Sequence, residues 1–497
     1  MTGLLPILAV ALPGFAGLII FFIPEGRHGL RTAVNLGAAG GKLGLVIVLL
    51  GAVALGAVAE VALPWLPGRP LALRTDALAL LFLSLSSFLW LLTTLYAVAY
   101  LEGSPHRSRF FGFFSLSVAA TAGIALAGNL VTFFFFYELL TLATYPLVAH
   151  RETAEARRAA AAYLRYTLAG GALLLLGIVW LEAAAGPVTF APGGTIADNP
   201  EVAPAVAVAT FGLMLAGVGV KAAMVPLHGW LPRAMVAPAP VSALLHAVAV
   251  VKAGAFGIVR LVYDVYGVGH AEVLGLLDIL VVAATVTILW GSLRALAQDD
   301  LKRRLAYSTV SQVAYIGLGV AVAGPIATVG GIVHIIHQGL MKITLFFAAG
   351  NLAETLGIHR ISRMDGVGRR MPLTMAAFTV SALGMIGVPP TAGFVTKWYL
   401  GLGALESGSV WVLAVLAASS GLNAAYFLPI LQRAWFRPAV AGEWADHGSP
   451  GRLETHWLLL LPPAATAVTA LVVGVAAGSP LSPLAWAELV AQRAYAP

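Results

Sequence analysis

Long apolar segments recur along the whole chain and restrict it to a membrane fold. Each has a length of about 20 residues, which an α-helix needs to cross a bilayer. Fourteen segments can be placed, over residues 3–23, 33–59, 77–101, 111–127, 129–149, 159–184, 205–232, 238–263, 271–296, 305–323, 326–351, 372–400, 410–436 and 457–478. Hydrophobic residues make up 60% of the chain and charged residues 10%, far from the composition of a soluble domain. The sequence therefore predicts an all-α polytopic membrane protein.

The distribution of basic residues predicts the orientation of these spans. Most of the 29 Lys and Arg residues lie in the odd-numbered connections, as Lys302, Arg303 and Arg304 do. Because cytoplasmic loops carry an excess of basic residues, both termini are expected outside the cytoplasm, with the spans in the inner (plasma) membrane. The same topology accounts for the net charge of +7, so that charge does not indicate a nucleic-acid partner.

Two spans are interrupted by proline, which removes a helix hydrogen bond and clashes with the preceding turn. The seventh breaks at Pro226 in VKAAMVPLHGWLP, and the twelfth breaks at Pro389 and Pro390 in IGVPPTAGFVTKWYL. Five spans separate the breaks, an odd number, so the two five-helix units run in opposite directions. Inverted repeats with broken helices are typical of transporters. The predicted parts of the chain are 1–110, 111–263 (first repeat), 271–436 (second repeat) and 437–497.

Ionisable residues inside the spans are the candidate functional residues. A charge at the bilayer centre costs roughly 2.5–3.5 kcal/mol, so such residues usually have a function or a partner. Glu138 lies near the middle of the fifth span, and Lys221 lies beside the break in the seventh. We expect Lys221 to be the partner that keeps Glu138 charged. The alternative is a static buried pair that only locks two helices together.

The eighth and eleventh spans add further ionisable residues. His246 and Lys252 are six residues apart, which is about 9 Å along a helix. His334 and His337 lie on one face of the eleventh span, where a histidine pair can relay protons near neutral pH, and Lys342 is a weaker candidate. The alternative is that these histidines only bond to neighbouring backbone in a packed bundle.

Lys397 in the twelfth span completes a row that could carry protons laterally through the middle of the membrane. The predicted translocation residues are Glu138, Lys221, His246, Lys252, His334, His337 and Lys397. The chain has no cysteine, which excludes disulfides, thiolate-bound iron–sulfur clusters and c-type haem attachment. No nucleotide or flavin motif occurs in a loop, so we expect no cofactor and no metal. A haem-binding redox subunit remains an alternative, and it requires histidines that face each other from different helices.

Several stretches together resemble the proton-conducting antiporter-like family. They are YELLTLATYPLV, VKAAMVPLHGWLP, APAPVSALLHAVAVVKAG, DDLKRRLAYSTVSQVAYIGLG, HQGLMKITLFFAAG and GVPPTAGFVTKWYL. This family includes three large membrane subunits of respiratory complex I, the A and D subunits of Mrp-type sodium/proton antiporters, and relatives in membrane-bound hydrogenases. The resemblance covers about residues 75 to 435. It implies fourteen helices with two inverted five-helix repeats.

The resemblance also implies functional roles and partners. Glu138 and Lys221 match the family's first half-channel, Lys252 its connecting lysine, His334 and His337 its eleventh-helix histidines, and Lys397 its exit lysine. Complex I's M-type subunit has a glutamate at the position of Lys397, and many members have a histidine at that of Gln338, so a D-like Mrp-type or related subunit is the expected class.

The implied function is proton conduction, with sodium as a candidate second ion, in a complex with other membrane subunits. That complex could be a translocating NADH:quinone oxidoreductase or a hydrogenase. The alternative within this resemblance is an energy-coupling subunit of an inorganic-carbon uptake complex.

Overall fold

The computed structural model describes residues 3–197, 199–439, 444–445 and 453–495, and α-helices make up most of them. Up to the first break the helices are α1 (Leu4–Phe21), α2 (His28–Ala54), α3 (Ala77–Tyr100), α4 (Arg107–Leu126), α5 (Leu130–Val148), α6 (Ala154–Ala185) and α7 (Pro204–Lys221). After it come α8 (Trp230–Arg233), α9 (Ala239–Ala243), α10 (Val250–Arg260), α11 (Val268–Val273), α12 (Leu276–Leu296), α13 (Leu301–Ala321), α14 (Pro325–Leu356), α15 (Val367–Arg370), α16 (Pro372–Ile386), α17 (Ala392–Glu406), α18 (Trp411–Phe436), α19 (Trp457–Val475) and α20 (Pro483–Ala494). The predicted part 437–497 includes residues 440–443, 446–452 and 496–497, which lie outside the described ranges.

The predicted all-α membrane fold is confirmed. Within the described ranges, 12 helical segments are long and apolar enough to cross a membrane. The tenth predicted span corresponds to α13, which has 21 residues and begins with basic side chains. The twelfth corresponds to α16 and α17, which have 15 residues each and follow one another across the break. Together these segments account for the fourteen predicted spans.

The helices of the two five-helix units contact one another in the same order. In the first, consecutive members among α4, α5, α6, α7 and α10 are neighbours, and α4 also touches α10. In the second, the same holds for α12, α13, α14, the α16–α17 pair and α18, and α12 also touches α18. The broken helix is the fourth member of each unit, so the inverted repeat places the two breaks at equivalent positions.

The second predicted span was placed too far along the chain. The helix α2 ends at Ala54, because Gly56 adopts a left-handed conformation with φ of +85°. The Ala57 N–H then donates to the Ala52 carbonyl and the Gly56 N–H to the Val53 carbonyl, both at 3.0 Å, which is the Schellman pattern of a helix end. Apolar composition alone does not reveal this stop.

An antiparallel hairpin that the sequence analysis missed follows this helix end. Its strands are β1 (Glu60–Leu66) and β2 (Arg69–Arg74), and Glu60 pairs with Arg74. An ion pair of 2.6 Å joins Arg69 to Glu182 near the end of α6 and fixes the hairpin to the bundle.

Two segments form the centre of the bundle. Residues 237–263, which contain α9 and α10, and residues 327–352 of α14 are buried throughout. Between α9 and α10 lies a π-helical turn, Leu244–Val248, and a second one, Leu261–Tyr266, follows α10. These central segments carry most of the predicted site residues, so the polar side chains of the site are shielded from lipid by the surrounding helices.

Candidate functional site

The first break leaves Lys221 as the last residue of α7, where its side chain is fully buried. The Nζ of Lys221 donates a hydrogen bond to the carbonyl oxygen of Tyr137 on α5. It also lies 3.3 Å from the centroid of the Tyr137 ring. A cation over the face of a tyrosine ring is attracted by the ring quadrupole. Tyr137 therefore holds the lysine ammonium group against α5.

Glu138, the next residue of α5, interacts with Lys221 through space and not by direct contact. Each of the two groups is the charged neighbour that acts on the other, but they form no direct ion pair. The Oε1 atom of Glu138 is buried and has no hydrogen-bond partner among the described residues. It lies against α6, where a Cβ atom added at Gly171 would be 2.3 Å away. The carboxylate is thus confined by packing, and Lys221 sets its electrostatic environment.

Lys252 lies on α10, close to the end of α7. A Cβ atom at Gly254 would be 2.1 Å from the backbone nitrogen of Ala222, so this crossing requires glycine. Lys252 is fully buried, and its Nζ has no hydrogen-bond partner within the part of the chain that the structure describes. Its charge acts on His334, His337 and Lys342 of α14. Lys252 therefore connects the first break to the central helix of the second repeat.

The two histidines of α14 share one partner, Thr396 of α17. The Oγ1 atom of Thr396 lies 3.2 Å from Nδ1 of His334 and 2.9 Å from Nδ1 of His337. Both histidines therefore face the same side of α14, as their spacing predicts. Because Thr396 precedes Lys397, the hydroxyl bridge brings the histidine pair next to the second break.

Lys397 reaches back across the break in the twelfth span. Its Nζ donates to the carbonyl oxygens of Met385 (3.3 Å) and Ile386 (2.6 Å) at the end of α16, and to the hydroxyl of Ser420 at 2.8 Å. The end of a helix leaves carbonyl groups without intrahelical partners and carries partial negative charge. The break thus creates the binding site for the lysine.

A chain of hydrogen bonds runs from Lys342 towards Lys397. The Nζ of Lys342 donates to the hydroxyl of Ser308 at 2.8 Å, and the hydroxyl of Ser308 is hydrogen-bonded to that of Tyr426 at 2.9 Å. Tyr426 is bonded to the side-chain oxygen of Asn423, whose amide donates to the Met385 carbonyl at 3.0 Å. That carbonyl also accepts from Lys397, so the two lysines belong to one polar network.

His246 and Lys252 do not form a hydrogen bond with each other. It lies in the π-helical turn before α10, where its ring stacks on Phe346 with the centroids 4.4 Å apart. The charged groups that act on it are Lys342 and Lys302. His246 therefore lies on the side of the bundle where Lys302 occupies the first turn of α13. Lys342 is the other charged group that acts on it.

Several buried polar atoms along this row have no partner among the described residues. They are Nζ of Lys252, both ring nitrogens of His246, Nε2 of His334 and His337, and both amide atoms of Gln338. Buried polar groups are almost always hydrogen-bonded, and internal water supplies the partner when the protein does not. The row is therefore suited to hold water between its ionisable groups.

The residues that connect the ionisable groups were not predicted from the sequence. They are Tyr137, Thr396, Ser308, Asn423 and Tyr426. Polar side chains inside apolar spans are a usable signal, because they tend to hydrogen-bond between helices. Within the described ranges, no group of three or more His, Cys, Asp or Glu side chains could hold a metal ion.

Comparison with known proteins gives consistent results. Residues 127–423 match the family model described as NADH:quinone oxidoreductase/Mrp antiporter, TM. The chain is 36% identical to NADH-quinone oxidoreductase subunit N of Desulforudis audaxviator, with 96% of each chain covered. It is 34% identical to the A/B component of the probable K(+)/H(+) antiporter of Rhizobium meliloti, and the match spans 77% of this chain and 38% of that longer protein.

Among solved structures, a chain of the Mrp complex from Dietzia sp. DQ12-45-1b is similar, with a TM-score of 0.87 and 26% identity over 100% of this chain and 98% of that one. The matched region contains both broken helices and every ionisable residue of the row. The chain therefore belongs to the NADH:quinone oxidoreductase/Mrp antiporter membrane family.

Proposed function

We propose that this protein is a proton-translocating subunit of a multi-subunit membrane complex of the Mrp antiporter or complex I type. The observation that carries the proposal is the row of ionisable side chains that connects the two breaks, half-buried at Glu138 and Lys397 and fully buried between them. It runs from Glu138 and Lys221 through Lys252 and the α14 histidines to Lys397. Ionisable groups inside the membrane are costly, and where they occur they usually mark the path of an ion or proton.

The geometry supports a stepwise mechanism. A proton that binds Glu138 neutralises it, so Lys221 loses its charged neighbour and can release its own proton onward. Lys252 has no counter-ion, so its protonated form is favoured only while the groups near it are neutral. A proton that leaves Lys252 passes to His334 or His337, and Thr396 connects that pair to Lys397. Each transfer leaves the donor one charge lower and the acceptor one charge higher.

The proposal also covers the partner subunits, the membrane location and the transported ion. Its relatives include subunits of multi-subunit membrane complexes, so other membrane subunits are its expected partners. The basic residues at the odd-numbered connections support an inner-membrane location with both termini outside the cytoplasm. Protons are the proposed cargo, and Na⁺ is the second ion to be tested.

Substitution at the first break tests this function. Glu138→Gln and Lys221→Met keep the side-chain size and remove the ionisable group, so each should abolish proton movement while the complex still assembles. Glu201→Gln, which alters an exposed carboxylate, is the matched control. Proton movement is measured with a pH-sensitive dye in vesicles that contain the assembled complex, with Na⁺ or K⁺ gradients imposed in turn. Normal proton movement in either variant would exclude the proposed mechanism.

A further inference from the structure

A second file of buried polar side chains lies on α2, outside the row described above. Arg31, Asn35 and Lys42 occupy one face of this helix and are 2%, 0% and 0% exposed. Lys42 lies eleven residues beyond Arg31, or about 16 Å along the helix. Because the hydrocarbon core is about 30 Å thick, Lys42 is near mid-depth if Arg31 is near the boundary.

The Arg31 end of this file opens to the surface. Arg31 lines a cavity of about 460 Å³ together with His28, Glu102, Arg107 and His456. Its guanidinium donates to the hydroxyl of Ser108 at 2.9 Å. Both His28 and Glu102 are exposed, so this polar cavity is in contact with the aqueous phase. Arg31 thus lies where water meets the buried face of α2.

The deeper residues of the file lack protein partners. The hydroxyl of Ser115 donates to Oδ1 of Asn35 at 3.4 Å, but Nδ2 of Asn35 has no partner among the described residues. Lys42 Nζ likewise has no hydrogen-bond partner there, and its contact is with the Trp90 ring, 5.7 Å away. A charged ammonium group without a counter-ion is costly in this environment. Lys42 therefore needs either water or the loss of its proton.

Helix α3 continues the polar path from Lys42. Ser86, Trp90 and Thr94 repeat every four residues on α3, and each has a buried polar atom without a partner among the described residues. Repetition at this spacing places them along one side of the helix. Unpartnered polar atoms thus line the α2–α3 interface on both helices.

Helix α3 also packs against the central helix α14. At the crossing of α3 and α14, a Cβ atom on Gly339 would lie 2.9 Å from the Leu85 side chain. The next residue of α3 is Ser86, and the preceding residue of α14 is Gln338, whose two amide atoms are also without partners in the described chain. Ser86 and Gln338 are thus each one residue away from the contact between the two helices.

We propose that Arg31, Asn35 and Lys42 form a second proton-uptake arm, which feeds the row from the N-terminal helices. The amine of Lys42 accepts a proton from a hydronium ion that enters with water at the Arg31 cavity, which leaves a neutral water molecule and an ammonium ion. It then returns the proton to water at the α3–α14 crossing and becomes neutral again. This arm rests on the proposed function, because it requires a proton-conducting row at its inner end.

The absence of cysteine from the chain allows a direct test of access. Single cysteines are introduced as Asn35→Cys, Lys42→Cys and Ser86→Cys, and Val46→Cys and Leu49→Cys serve as controls on the same buried face of α2. Each variant is treated with Ag⁺, a thiol reagent small enough for narrow aqueous paths. We expect the three path positions to react at least tenfold faster than the two controls. Equal reaction rates at all five positions would contradict the proposed arm. If the Lys42→Cys variant does not fold, the rate at Ser86→Cys is compared with the two controls instead.

A transport measurement then tests whether the arm contributes protons. Lys42→Met should lower proton movement at least threefold, and Lys42→Arg should lower it as much, because the guanidinium keeps the charge but does not release its proton. Unchanged transport in Lys42→Met overturns the arm even if cysteine access is found. Failure of the proposed function is distinct, because it appears as normal transport in the Glu138 and Lys221 variants and leaves the Ag⁺ rates unaffected.

Discussion

Lys397 donates a hydrogen bond of 2.6 Å to the carbonyl oxygen of Ile386, the last residue of α16. The bond closes the gap between the two halves of a broken helix with a side chain from the second half. Since a helix C-terminus attracts cations, a charged Lys397 stabilises the break and a neutral one loosens it. The geometry of the break is therefore sensitive to the proton that the lysine carries.

Tyr426→Phe should interrupt the polar network between Lys342 and Lys397. The variant keeps the ring but loses the hydroxyl that bonds Ser308 and Asn423. Two neutral hydrogen bonds contribute about 1–3 kcal/mol to the free energy of unfolding. Because the network connects Lys342 to the carbonyl that Lys397 binds, we also expect proton movement to fall in this variant. Tyr399→Phe, whose hydroxyl bonds Glu488 instead, is the control, and equal rates in both variants would argue against a role for the network.

Thr396→Val should uncouple the histidine pair from Lys397. The valine side chain has nearly the same shape but cannot bond Nδ1 of His334 and His337. The two lost bonds should lower the free energy of unfolding by about 0.5–1.5 kcal/mol each, and proton movement should fall because the histidines lose their shared partner. Thr396→Ser restores the hydroxyl and should recover the rate. Failure of serine to recover it would show that the threonine acts through packing.

Gly254→Ala should separate Lys252 from the first break. The new methyl group would meet the backbone of Lys221 and Ala222, which cannot move aside as a side chain can. Overpacking of this kind costs about 1–3 kcal/mol, and thermal unfolding of the purified complex measures it. Gly212→Ala on α7 is the control, because nothing lies within 4 Å of its added Cβ. Equal melting temperatures for the two variants would contradict the close crossing.

His150 predicts a pH dependence of stability outside the membrane spans. Burial, reinforced by Arg109, lowers the pKa of His150 from 6.5 to about 4. Below pH 6.5 the unfolded chain therefore binds a proton that the folded protein does not, and the free energy of unfolding falls until about pH 4. In His150→Gln this contribution is absent. We expect its melting temperature to fall less steeply than that of the wild type between these pH values, and parallel curves would refute the assignment.

The sequence predicted the spans and the ionisable row because each depends on a local pattern. These patterns are a run of apolar residues, a proline within a span and a charged residue within an apolar segment. Each can be recognised without knowing which residues lie nearby in the fold. The end of α2 was missed because it depends on the φ angle of one glycine, Gly56. Thr396 and Tyr426 were missed because their roles arise from contacts between helices far apart in sequence. Lys221 was expected to pair with Glu138, but the carbonyl and ring of Tyr137 hold its ammonium group.

The complete burial of residues 237–263 and 327–352 has a consequence for how the protein is made. These segments carry Lys252, Lys342 and three histidines, so neither can rest against lipid alone without exposing costly polar groups. The flanking helices are apolar on their outer faces and can enter the bilayer independently. We therefore expect the two central segments to become stable in the membrane only after the surrounding helices have inserted.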